Sequence, residues 1–78
     1  MGLKIGNLPL STIRKIILHK KCKLIRHADG HEKYSRSDLL RPIVIQDHID
    51  PVPAFIVRQI MRTLDITHKD LEKILKEI

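Results

Sequence analysis

The side chains best suited to chemistry are His31 and Lys33, which stand two positions apart within residues 26–36. Histidine exchanges a proton near neutral pH more readily than any other side chain, so an imidazole can act as a general acid or base. A lysine ammonium close to it can offset negative charge that develops on a phosphate. The pair therefore indicates acid–base chemistry on an anion such as RNA.

A predicted β-hairpin positions these two side chains. Asp29-Gly30 is a dipeptide typical of a tight two-residue turn, and short runs able to form strands flank it. With pairing that starts at His31, alternation along the strand gives each face its own set of side chains. One face receives His31, Lys33 and Ser35, and the other receives Glu32, Tyr34 and Arg36.

Length and charge limit the kind of protein and partner. The chain of 78 residues is predicted to form one domain, residues 1–78, with a single core. Its 15 lysines and arginines outnumber its 9 acidic residues, which gives a net charge of +6. This balance favours an acidic partner, either nucleic acid or an acidic protein surface, without deciding between them. The only aromatic residues, Tyr34 and Phe55, are too few for a row of base-stacking rings.

The cellular location is predicted from cysteine usage and hydropathy. Cys22 is the single cysteine, so it cannot form an internal disulfide, as is usual in a reducing compartment. No apolar run is long enough for a signal peptide or approaches the ~20 residues that cross a bilayer. These patterns predict a cytoplasmic protein that does not associate with membranes.

The first helix is predicted over about residues 12–20, where apolar residues recur at helical spacing. Ser11 precedes it and is a typical N-cap residue. Residues 1–9 contain two glycines and a proline and are predicted to be an irregular lead-in.

Two further helices are predicted in the last third of the chain. Pro53 suits the first turn of a helix because its missing N–H needs no partner there, and helical spacing continues to about residue 64. Thr67 and Asp70 form a capping-box pattern, with aspartate in place of the usual glutamate. This pattern predicts a last helix from about residue 68 to the terminus.

Strands are predicted at residues 23–26, in the segment after Gly30 that contains Tyr34, and at residues 42–46, where Pro42 stands at the start or on an edge. Three antiparallel strands joined by short links form a meander. Two amphipathic helices on the same side can cover one face of such a sheet, so the predicted fold class is a two-layer α+β domain. The other face is left toward solvent or a partner.

Two short motifs resemble the HicA (YcfA-like) family, the toxin half of a bacterial toxin–antitoxin pair. That family carries Gly-Ser-His or Gly-Thr-His at its hairpin, and Asp29-Gly30-His31 stands at that place. It also ends its third strand with Pro-x-His, where this chain has Gln46-Asp47-His48. The hydroxyl residue of the first motif and the proline of the second are absent here. The resemblance covers a core of about residues 8–66, and an additional C-terminal helix of about residues 67–78 lies beyond it.

The resemblance implies a double-stranded-RNA-binding-domain-like fold with the order α-β-β-β-α and the additional C-terminal helix. It implies an mRNA interferase, a metal-independent endoribonuclease in which His31 is catalytic, and a HicB-type antitoxin that neutralises it. We expect the antitoxin to cover the basic hairpin and bury His31, because that surface carries both the charge and the chemistry. The free chain is expected to be a monomer.

Further residues are predicted to assist His31. Residues expected to contact RNA phosphates are Lys23, Arg26, Lys33 and Arg36. A second proton transfer is expected to involve His48, Tyr34, water or no further group, although alternation places Tyr34 opposite His31. The remaining histidines are interpreted as structural or solvated: His27 caps the hairpin or faces water, and His19 and His68 are solvated helix residues.

No cofactor and no metal are expected. His27 and His31 are four positions apart, but a predicted turn separates them, and Cys22 has no second cysteine with which to complete a zinc set. Two other functions stay open. A non-catalytic double-stranded-RNA-binding-like module would bind RNA by its shape without cleaving it, and a pure protein-interaction domain would use the basic surface for an acidic partner.

Overall fold

The computed structural model describes residues 6–78, so the first part of the predicted irregular lead-in, residues 1–5, lies outside the described residues. The elements in chain order are α1 Leu10–His19, β1 Lys23–Ala28, β2 His31–Ser35, β3 Ile43–Gln46, α2 Ala54–Leu64 and α3 His68–Glu77. The strands form one antiparallel sheet in the order β1-β2-β3. The predicted α+β class, with three antiparallel strands and three helices, is confirmed.

Helix α1 begins earlier than the sequence predicts. It starts at Leu10, with Pro9 at the N-cap position and no capping bond from a side chain, so the prediction of Ser11 as N-cap is wrong. The N–H of Leu10 instead donates to Oδ1 of Asp50, 3.0 Å away. A side chain from the distant β3–α2 connection therefore satisfies one N–H group of the first turn of the helix.

Helices α2 and α3 follow their sequence signals closely. Pro53 is the N-cap of α2, which ends at Leu64 before Asp65 adopts a left-handed conformation. The capping box predicted for α3 is present: the side chain of Thr67 accepts from the N–H of Asp70, and the Asp70 carboxylate accepts from the N–H of Thr67. Among residues 6–78, no helix is long and apolar enough to cross a membrane.

The sheet has a covered face, which carries Glu32, Tyr34, Ile43 and Ile45, and an open face, which carries His31, Lys33, Val44 and Gln46. Burial alternates along β2 and β3 in this pattern, with the covered-face residues buried. The core contains Tyr34, Ile43 and Ile45 from the sheet. The helices contribute the buried residues of their apolar stripes, which are Leu10, Ile13, Ile16, Ile17, Val57, Ile60, Met61, Leu64, Leu71 and Ile74. The sheet therefore presents one face to the helices and leaves the other open, as predicted.

Strand β1 is longer than predicted and contains a β-bulge. It runs to Ala28 rather than to Arg26. Leu24 lies opposite Tyr34 and Arg26 lies opposite Lys33, so Ile25 is an extra residue in β1. Residues directly opposite one another share a face, and the bulge therefore places Leu24 on the covered face and Arg26 on the open face.

Candidate active site on the open face of the sheet

The turn between β1 and β2 has the geometry that its sequence predicts. Asp29 and Gly30 both have positive φ, at 54° and 76°, which is the conformation of a type I′ hairpin turn. Glycine adopts this conformation without penalty and aspartate tolerates it. The predicted hairpin is therefore confirmed, and β2 begins directly at His31.

The imidazole of His31 is exposed and is oriented by its own turn. Its Nδ1 lies 2.9 Å from the carbonyl oxygen of Asp29. A carbonyl oxygen only accepts, so Nδ1 carries the hydrogen. In the neutral ring the lone pair is then on Nε2, which is the atom able to take a proton from a substrate.

Two cations lie on the same face as His31. Arg26 is directly opposite Lys33 across β1 and β2, and Ala28 is opposite His31, two pairs closer to the turn. An open depression of about 250 Å³ is lined by Arg26, Ala28, Asp29, His31, Lys33 and Val44. The structure thus places the predicted catalytic histidine and two of the predicted phosphate contacts around one concave surface.

The other two predicted phosphate contacts differ in position. Lys23 lies on the open face opposite Ser35, at the end of the sheet far from the turn. Arg36 follows β2, and its guanidinium donates to the Asp38 carboxylate and to the carbonyl of Lys20. The bond to Asp38 raises the pKa of Arg36 above its ordinary value. Arg36 therefore connects two loops and is not brought to the His31 depression.

The two candidates for a second acid–base group are separated by the fold. Tyr34 is buried on the covered face, where its hydroxyl donates to Oε1 of Glu32 at 2.6 Å. Burial, followed by this hydrogen bond, raises the pKa of Tyr34 to about 12. His48 is exposed beside the turn: its Nδ1 would be 3.7 Å from a Cβ placed on Gly30. His48 is thus the nearer of the two to the tip of the hairpin.

Sequence reasoning missed an ionic network on the covered face. Arg14 of α1 donates through Nε and Nη2 to the two carboxylate oxygens of Glu32, which is buried. The hydrogen bond from Arg14 holds the pKa of Glu32 below its ordinary value, and the hydroxyl of Tyr34 contributes in the same direction. A charged residue that alternates onto the same face as Tyr34 is the sequence signal that such a partner exists.

His27 and Asp47 form a second pair that the sequence did not reveal. Nε2 of His27 lies 2.7 Å from Oδ2 of Asp47, which joins the end of β1 to the end of β3. Ligand-type atoms of His27, Asp47 and Glu32 all lie within 4.8 Å of one another, a spacing that a metal ion could bridge. However, Glu32 already accepts bonds from Arg14, whose positive charge opposes a cation there.

The two histidines of the helices, His19 and His68, lie on α1 and α3 and not on the sheet. His19 at the end of α1 pairs with Glu77 at the end of α3, with Nε2 and Oε2 3.0 Å apart, so it is not simply solvated as predicted. His68 is exposed at the start of α3. Neither residue lines the depression beside His31.

Comparisons of the chain with family models, with curated proteins and with solved structures find no match. The function of the open face therefore has to follow from the positions and chemistry of its own residues, together with the two motifs at the hairpin and after β3.

Proposed function

We propose that this chain is a HicA-like toxin with a double-stranded-RNA-binding-domain-like fold, and that it cleaves mRNA as a metal-independent endoribonuclease. The observation that carries the proposal is the grouping of His31 with Arg26 and Lys33 around one open depression. A proton-transfer group and two cations on an exposed surface can assist cleavage of a polyanion by acid–base catalysis and by stabilising negative charge. The resemblance of Asp29-Gly30-His31 to the family motif supports the same interpretation.

The proposed reaction begins when a ribose 2′-oxygen attacks the adjacent phosphorus. Nε2 of His31 takes the 2′-hydroxyl proton, while the hydrogen bond from Nδ1 to Asp29 holds the ring in place. Arg26 and Lys33 offset the charge that develops on the phosphate oxygens. The bond from phosphorus to the 5′-oxygen then breaks, and that oxygen takes a proton from His48 or from water. The products are a 2′,3′-cyclic phosphate and a 5′-hydroxyl.

The proposed partner is a HicB-type antitoxin in the cytoplasm. The open face carries Lys23, Arg26 and Lys33 along one side of the sheet, so an acidic antitoxin surface would complement it. Covering this face would also exclude RNA from His31. Toxicity on expression without a neighbouring antitoxin gene, and its relief on co-expression, would support this part of the proposal.

The test is cleavage of RNA by the purified protein in the presence of a chelator. We expect His31→Ala to lower the rate about 100- to 10,000-fold while RNA affinity and unfolding temperature are retained. His68→Ala is the matched control, because this exposed histidine lies outside the depression. Loss of all cleavage in chelator, or equal rates for His31→Ala and His68→Ala, would contradict the mechanism.

A second candidate is a module that binds RNA without cleaving it. The observation that favours it is the burial of Tyr34 on the opposite face, which removes one of the two candidates for a second acid–base group from the site. Such a module would use the same cations for phosphates. It predicts tight RNA binding with no cleavage by the unaltered chain, and no change in toxicity for His31→Ala.

A further inference from the structure

The outer edge of β3 has free backbone groups. Among residues 6–78, β3 pairs only with β2, so no described strand lies on its other side. The N–H of Asp47 donates to the carbonyl of Gly30 at 2.9 Å. Because bonded and non-bonded pairs alternate in an antiparallel ladder, the N–H and C=O groups of Val44 and Gln46 point away from β2. The carbonyl of Gln46 accepts from the N–H of Ile49 at 3.4 Å, so within residues 6–78 the groups left free on this edge are the N–H and C=O of Val44 and the N–H of Gln46. An exposed edge of this kind can pair with a further strand.

A groove runs beside this edge. Its volume is about 720 Å³, and one wall is the face of α2 that carries Ile56, Gln59, Ile60 and Thr63. The opposite wall is formed by β3 and the loop before it, including Leu39 and Leu40. Leu40 is fully exposed, and Val44 is 46% exposed. The groove thus offers apolar side chains on both sides of the free backbone edge.

Two cations at this groove have no acidic partner in the described part of the chain. Arg41 and Arg62 line it, and neither forms an ion pair within residues 6–78. The one acidic residue in the lining, Asp38, is already paired with Arg36. The groove therefore combines apolar walls, a free strand edge and uncompensated positive charge.

We propose that β3 accepts an extended segment of a partner protein, in which apolar and acidic side chains alternate, as a fourth strand of the sheet. Main-chain hydrogen bonds to the N–H and C=O of Val44 and to the N–H of Gln46 would supply the pairing. Apolar side chains on the inner side of the segment would contact Ile56 and Ile60 of α2. Acidic side chains would pair with Arg41 and Arg62. Val44 lines both this groove and the depression beside His31. The pairing nevertheless uses the backbone of β3 and the wall of α2, so the inference does not depend on ribonuclease activity.

Charge favours this occupant over a second copy of the chain. A symmetric pairing of β3 with β3 would bring Arg41 and Arg62 of both copies to one interface, where like charges repel. The net charge of +6 adds to that repulsion. An acidic segment instead neutralises the two arginines while its backbone completes the edge.

The probe is a labelled peptide in which valine and glutamate alternate, titrated against the full chain by fluorescence anisotropy. Amide hydrogen exchange measured by NMR then locates the contact. We expect peptide binding to slow exchange at Val44 and Gln46. We expect Arg41→Glu combined with Arg62→Glu to weaken binding roughly tenfold, because two exposed ion pairs become repulsive contacts. A peptide that alternates valine with lysine should not bind.

The matched control is Arg58→Glu, which reverses an exposed arginine of α2 outside the groove lining. It should bind the peptide as the unaltered chain does. The proposal is overturned by equal affinity of the double variant, by protection located on β1 or β2 and not on β3, or by no binding at about 1 mM peptide. Protection of the same amides by self-association or by an RNA oligonucleotide alone would also overturn it, since the edge would then have a different occupant.

Discussion

Arg14 and Glu32 join α1 to the middle strand of the sheet, although they are far apart in the sequence. Nε of Arg14 donates to Oε1 of Glu32 at 3.1 Å, and Nη2 donates to Oε2 at 2.5 Å. The Glu32 side chain is 5% exposed and that of Arg14 is 40% exposed. The carboxylate therefore depends on a partner that is itself partly in water, and this arrangement determines its response to mutation and to pH.

Replacing Arg14 with methionine should destabilise the fold. Glu32 would stay buried with only the hydroxyl of Tyr34 as a donor, which we expect to cost about 1–3 kcal/mol, since solvent already screens part of the pair. Urea unfolding at neutral pH measures the change. Arg58→Met is the control, because Arg58 is exposed and has no ion-pair partner in residues 6–78. Equal midpoints for the two variants would contradict the role given to Arg14.

Acid should reduce the contribution of the Arg14–Glu32 pair to the stability of the fold. Arg14 lowers the pKa of Glu32 below its ordinary value of 4.5. The unfolded chain therefore binds the proton first, so this contribution to stability is complete above pH 4.5 and is lost as pH falls through the folded pKa. We expect acidification below pH 4.5 to destabilise the unaltered chain more than Arg14→Met. Parallel stability curves would show that the pair is not linked to folding.

Titration to high pH should test the burial of Tyr34, which is the single tyrosine of a chain without tryptophan. Burial raises its pKa to about 12 from an ordinary value of 10.0. Its contribution to stability is therefore complete below pH 10 and is lost as pH rises toward 12. Ultraviolet titration of the folded chain should show tyrosinate only near the higher value, and titration in urea should show it near 10. A folded midpoint near 10 would contradict burial of the hydroxyl.

Gly30→Ala tests the turn that holds His31. A Cβ on Gly30 would lie 3.5 Å from Oδ1 of Asp47, an ordinary contact, so the expected cost comes from the positive φ of 76°. That conformation costs a residue with a Cβ about 1–2 kcal/mol. Thermal or urea unfolding measures the loss, with Gly6→Ala as control because nothing lies within 4 Å of its Cβ position. If the two alanine variants are equally stable, the turn does not require glycine.

The salt dependence of RNA binding can distinguish among the four cationic residues that the sequence predicts as phosphate contacts. If the chain binds RNA on the open face, Arg26→Ala and Lys33→Ala should each reduce the slope of log affinity against log salt by about one. Arg36→Ala should leave the slope unchanged, because its guanidinium is bonded to Asp38 and to a backbone carbonyl. A smaller slope for Arg36→Ala than for Lys33→Ala would contradict this assignment.

Features with local causes could be predicted from the sequence. Asp29-Gly30 determines its own turn, and alternation from His31 then gives the correct faces of β2. Thr67 and Asp70 are three positions apart and form their capping box without help from the rest of the fold. In each case the interacting atoms belong to residues close together in the sequence, so the local sequence pattern is enough to predict the structure.

Features with distant causes could not be predicted in this way. The start of α1 depends on Asp50, which bonds Leu10 across 40 positions, and no pattern around Ser11 reveals it. The ion pair of Arg14 with Glu32 likewise forms only when α1 packs on the sheet. The position of His31 at the start of β2 could be predicted because it depends on the hairpin alone. The engagement of Arg36 could not be predicted, because it depends on loop contacts.

The extra residue Ile25 shifts the alternation of side chains along β1 by one position. Leu24, before the extra residue, therefore lies on the face of Tyr34, and Arg26, after it, lies on the face of Lys33. Deleting Ile25 would restore regular alternation along β1. The side chains on one side of the deletion, either before or after it, would then move to the opposite face of the sheet. A change of one apolar residue on an edge strand would thus decide whether Arg26 lies beside Lys33 and His31 on the open face.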